Sequence, residues 1–79
     1  MTDHRLWIRD GNTWRLTKYP GWSVTDTGRK GRRDRYVIVD PAGNVDRDWH
    51  RAHMDKKLPG LNDAKWSAEV GARFRAGDY

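Results

Sequence analysis

The chain has 79 residues, of which 16 are Lys or Arg and 11 are Asp or Glu, giving a formal charge of +5. A chain of this length makes one domain. Without Cys it has neither disulfide staples nor a Cys-ligated zinc, and no apolar run approaches the ~20 residues of a membrane span. The opening Met1-Thr-Asp-His-Arg5 lacks the apolar stretch of a secretion signal, so the expectation is a cytoplasmic protein with no membrane partner.

Leu, Ile, Val and Phe number 12 of 79, under the roughly 20% below which disorder becomes a concern. Two features point to a folded chain. Nine aromatic rings, five of them Trp, replace the missing aliphatics, and each buries roughly 150–250 Å². The charges are mixed in sign, so net charge per residue is small.

In chain order, Arg5-Leu-Trp-Ile-Arg9 alternates at period two and reads as a strand, Asp10-Gly11-Asn12 as a turn, and Thr13 to Tyr19 as the returning strand. Pro20-Gly21 turns into a third strand over 22–26. Gly28-Arg-Lys-Gly-Arg-Arg33 begins a basic loop over 28–35 that leads into the clearest strand, over 35–40. Asp40-Pro-Ala-Gly43 fits a type I turn, and 44–49 is a candidate fifth strand. Trp49 to Leu58 fits either helix or loop. After Pro59-Gly60, Asn62 or Asp63 caps a helix over 62–75 that ends near Gly77. The fold class is therefore α+β: a small antiparallel meander of three to five strands with a C-terminal helix on one face.

A three-residue turn over 10–12 separates the hairpin faces best. It pairs Ile8 with Trp14 and Leu6 with Leu16, with Asn12 left-handed. Leu6, Ile8, Trp14 and Leu16 then face the core, joined by Trp22 and Val24. Arg5, Trp7, Arg9, Arg15 and Tyr19 share the opposite face. In the helix, Ala64, Ala68 and Ala72 fall on one side with Leu61, while Trp66, Val70 and Phe74 fall on the other. Three arrangements are open. In one, the large stripe faces the core. In the other two the alanines do, and the large stripe is either covered by the Trp49–Leu58 segment or, with nearby Trp49, a contact surface for a host protein or a second copy.

Arg29, Lys30, Arg32 and Arg33 place four cations within six residues, with Arg35 beyond. Such a loop meets phosphate through charge, and with Arg5, Trp7, Arg9 and Arg15 it outlines a nucleic-acid footprint; a solvated basic loop is the plainer alternative. His50 and His53, spaced i, i+3 near Asp46, Asp48 and Asp55, form the one candidate metal pair, and on it rests the only enzymatic reading, a metal-dependent nuclease. The chain has no Gly-x-Ser-x-Gly, Walker A or Gly-x-Gly-x-x-Gly element. No cofactor, resident metal or small-molecule substrate is expected.

Trp14, Gly21-Trp22-Ser-Val, Tyr36-Val-Ile-Val-Asp-Pro-Ala-Gly43 and Leu61-Asn-Asp-Ala-Lys65 together resemble small accessory proteins common in actinobacteria and their phages. The strands-plus-helix layout is also similar to the arm-site-binding domains of tyrosine integrases and to plant ethylene-response DNA-binding domains. That resemblance implies a sheet lying in the major groove, with Arg5, Trp7, Arg9 and Arg15 as the contacting residues. The expected function is a small basic non-enzymatic module that binds nucleic acid. The alternative is a phage or mobile-element accessory protein that binds a host protein, or itself, through Trp66, Val70 and Phe74.

Overall fold

The computed structural model describes residues 6–78. Five antiparallel strands follow one another in the sheet as they do in the chain: β1 (Trp7–Asp10), β2 (Thr13–Leu16), β3 (Ser23–Asp26), β4 (Tyr36–Val39) and β5 (Val45–Asp46). A 3-10 helix over Trp49–His53 leads to helix α1 (Leu61–Ala76), which packs across β3 and β4. The α+β meander is therefore present, with the strand expected over 13–19 stopping at Leu16 and the one over 44–49 reduced to two residues. The undecided Trp49–Leu58 segment opens as the 3-10 helix.

The first hairpin differs from the expected register by one residue. Trp7 pairs with Leu16, Ile8 with Arg15, Arg9 with Trp14 and Asp10 with Thr13. The turn is the two-residue Gly11-Asn12, with Gly11 rather than Asn12 at positive φ, +64°. A two-residue turn with Gly at its first central position twists in the sense of the flanking strands. The shift moves Trp7 to the helix side and leaves Ile8 56% exposed. It puts the larger apolar surface inside. Arg9 also lands on the helix side. Its guanidinium carbon lies over Trp14, 5.2 Å from the ring centroid, and its Nε donates to Gly11 O at 2.8 Å. A long cation that can lie over a ring removes the conflict between charge and burial on which the expected register relied.

The helix places its alanines inward. Ala64, Ala68 and Ala72 are buried, together with Leu16, Val24, Val37, Ile38 and Trp49. Trp7, Trp22, Tyr36 and Leu61 pack on the same core from its margin. The sheet supplies the bulky rings and the helix supplies a smooth side, so a second set of rings on the helix would overfill the space. A Cβ on Gly71 would already stand 3.4 Å from Trp22. Cations from the helix cover the ring faces: Lys65 lies over Trp7 and Trp14, and Arg75 over Trp22.

Helix α1 starts one residue earlier than expected. Gly60, not Asn62 or Asp63, is its N-cap, and the Asp63 carboxylate reaches back to accept from Gly60 N–H at 2.8 Å. It ends on Gly77 at φ +72°, where Gly77 N–H donates to Phe74 O and Asp78 N–H to Arg73 O. The turn after β4 is organised by Asp40, which is buried. Its carboxylate accepts from Ala42 N–H, Asn44 N–H and Asn44 Nδ2, and it pairs with Arg75 at 3.1 Å. These contacts, Asn44 first, hold its pKa below the ordinary carboxylate range.

Candidate nucleic-acid interface

The basic loop is held from both ends. Thr27 bonds Arg35 O through its N–H at 2.8 Å and its hydroxyl at 2.6 Å. Arg35 grips the Asp26 carboxylate in a fork, at 3.0 and 2.9 Å, and Gly28 N–H donates to the same group at 2.8 Å. Arg35, then Gly28, keep the Asp26 carboxyl well below its usual pKa. Within the loop, Arg29 pairs with Asp34 at 2.8 Å. Arg33 turns inward and donates to four carbonyls: His50 at 3.1 Å, His53 at 3.3 Å, Lys57 at 3.0 Å, and Lys56. Those carbonyls belong to the 3-10 helix and the residues after it, and a guanidinium suits them because its five donors are spread in a rigid fork.

Three of the five predicted loop cations, Arg29, Arg33 and Arg35, therefore serve the fold. Lys30 and Arg32 are exposed and have no ion-pair partner among the described residues. Arg32 lines a shallow, open concavity whose other side comes from Arg47, Asp48 and His50. Arg47 is also exposed and unpaired among the described residues. The two acids at the site are already engaged, Asp34 by Arg29 and Asp48 by Arg51 at 3.8 Å. His50 Nδ1 is buried with no hydrogen-bond partner. Arg47 carries no signal in the sequence that ties it to Arg32, since only the return of β5 brings the two segments together.

The arginine-bearing sheet face does not form. Trp7 and Arg9 lie on the helix side, whereas Arg15 lies on the opposite face beside Asp10, at 3.5 Å. The major-groove face implied by the resemblance to integrase-type domains is thus divided between two sides of the sheet. Arg5 lies outside the described residues. Tyr19, expected beside these cations, donates its hydroxyl to Asp78 at 2.6 Å.

The proposed contact stripe divides as well. Trp66, Val70 and Phe74 are 57%, 43% and 68% exposed on the outer face of α1, but Trp49 is 5% exposed and donates its Nε1 hydrogen to Tyr36 O at 2.5 Å. Trp49 is a core residue because the 3-10 helix folds it under α1.

His53 meets α1. Its ring sits edge-on to Trp49 and Trp66, with centroids at 5.7 and 5.8 Å. Its Nε2 is 3.0 Å from Ser67 Oγ, and its Nδ1 is 3.8 Å from Asp63. The order Ser, His, carboxylate is that of a nucleophilic relay, and the sequence gives no hint of it because the members come from separate segments. At 3.8 Å, Asp63 is beyond hydrogen-bond reach of His53, so the three side chains are not joined as a relay. Asp63 is engaged by Lys56 at 2.6 Å and by Gly60 N–H, which lower its pKa. Ser67 lies inside α1, where backbone N–H groups bond within the helix and cannot hold an oxyanion. Among the described residues no three His, Asp or Glu side chains converge as a metal site, so the His50–His53 pair gathers no third ligand.

Comparison with protein-family models, curated proteins and solved structures finds no match.

Proposed function

We propose that this chain is a small non-enzymatic nucleic-acid-binding module whose phosphate contacts are made at the concavity between the basic loop and the 3-10 helix. The observation that carries this reading is the placing of Arg32 and Arg47, two exposed arginines without ion-pair partners among the described residues, on the walls of one concavity. Asp34 is paired with Arg29, and Arg51 stands 3.8 Å from Asp48, so the cations of the site outnumber its acids. Lys30 on the same loop and the overall charge of +5 favour an anionic partner. With so few contacts, binding is weak, sequence-independent and salt-sensitive, with dissociation constants of about 10⁻⁴–10⁻⁶ M.

Fluorescence anisotropy of a labelled oligonucleotide across a salt series tests this. The expected result is affinity that falls steeply with salt, and a slope of log K against log salt about 1.4–1.8 units shallower in Arg32→Ala/Arg47→Ala. Equal affinity and equal slope for wild type and variant would remove the assignment.

A further inference from the structure

We propose that the nucleic acid is single-stranded and that Trp66 stacks on one of its bases, with the strand running from the Arg32–Arg47 concavity over the 3-10 helix to the outer face of α1. This inference rests on the phosphate site above.

Four observations carry it. First, one 3-10 helix borders both places: His50 lines the concavity, and His53 meets Trp66 with ring centroids 5.8 Å apart. Second, Trp66 is held in place yet open. His53, itself bonded to Ser67, sets the ring edge-on while 57% of the residue remains exposed. A fixed, open ring is the platform on which single-strand binders stack bases, and stacking tolerates any sequence because every base has a flat face.

Third, most of the other described rings have work elsewhere. Trp7, Trp14, Trp22 and Tyr36 lie beneath the protein's own cations, and Trp49 is buried. Fourth, area distinguishes a base from a protein. With ring areas of roughly 150–250 Å², the exposed Trp66–Phe74 stripe offers about 300 Å². Two such stripes facing each other would bury about 600 Å² of apolar surface, just under the roughly 700 Å² of apolar area in the smallest stable interfaces. One base needs only one ring. Between the two places Lys57 is exposed beside the Arg33-bound carbonyls, and Lys56 is paired with Asp63.

The test uses the intact chain and three probes of about 12 nucleotides, within the roughly 4–16 that small single-strand sites occupy: an oligothymidylate, its duplex with oligoadenylate, and an abasic strand of the same length. The oligothymidylate is expected to bind more tightly than the duplex. Trp66→Ala is expected to weaken it by about 5- to 150-fold while leaving the abasic strand unchanged, and Trp66→Phe is expected to restore part of the loss. Circular dichroism of both variants confirms that the fold is intact. Tighter duplex binding overturns the inference. So does equal oligothymidylate affinity for wild type and Trp66→Ala when Arg32→Ala/Arg47→Ala still weakens it; the phosphate site then stands, and the outer face of α1 passes to a protein contact. No binding of any probe by the wild type removes both proposals.

Discussion

Arg32 and Arg33 are adjacent, identical in chemistry and opposite in role. Arg33 is drawn inward to four carbonyls of the following 3-10 segment, while Arg32 stands in solvent on the wall of a concavity. The same division runs through the molecule. Arg35 is tied to Asp26, Arg75 to Asp40, and Lys65 lies over two Trp rings, whereas Lys30, Arg32 and Arg47 have no ion pair among the described residues. A high cation count is therefore a poor measure of binding surface in so small a domain. Much of the charge replaces the packing that a larger aliphatic core would supply, and under the proposed function only the cations the fold leaves over would meet the ligand.

The strongest way to break this comparison is Arg33→Ala. It removes four charge-assisted bonds and the tie between the basic loop and the 3-10 helix. Part of the site is open to water, which can replace some of those bonds, so the expected loss is about 2–3 kcal/mol. For a domain of this size that lowers the melting temperature by roughly 10–20 °C. Arg33→Lys should recover only a fraction, because an ammonium has three donors and cannot reach four carbonyls at once. A melting temperature within about 2 °C of wild type would show that the four contacts do not hold the loop.

Acid sharpens the same division from the carboxylate side. Asp26, Asp40, Asp63 and Asp78 all have pKa values below the ordinary range, held there first by Arg35, Asn44, Lys56 and Tyr19 respectively. Each folded value lies below the unfolded one, so on acidification the unfolded chain takes up protons first. The stability these groups contribute is present above the ordinary carboxylate pKa of about 3.9 and is lost as pH falls through their folded values. Thermal melts between about pH 5 and pH 2 should therefore show a steady fall, and Asp26→Asn should flatten that fall. An unchanged slope in Asp26→Asn would mean that its fork with Arg35 adds nothing to the fold.

The sequence made the element types legible because alternation, Pro-Gly turns and the helix stop are local signals. It also made both helix stripes visible. What it left open was which stripe packs, and the answer lies in the sheet. Trp7, Trp14 and Trp22 leave room for alanine and not for another ring. The hairpin register was misjudged for a related reason, since an Arg lying over a Trp satisfies a face that binary patterning forbids. Half of the candidate site was legible in the basic loop. Arg47 was not, because its meeting with Arg32 depends on the β4–β5 return. The His53–Ser67–Asp63 cluster was hidden in the same way.

The smallest expected effect on stability is the most discriminating. Arg32→Ala/Arg47→Ala should leave the melting temperature nearly unchanged, within about 0.5 kcal/mol, the usual range for surface changes that break no specific contact. Nothing in the fold is bonded to either guanidinium among the described residues. Relieving repulsion in a chain of charge +5 should raise stability slightly at low salt. A residue kept exposed and unpaired is free to change without harm to the fold, so any loss measured for this variant belongs to the ligand. If instead the variant melts as Arg33→Ala does, Arg32 and Arg47 are structural like their neighbour, and the contrast between the two arginines disappears.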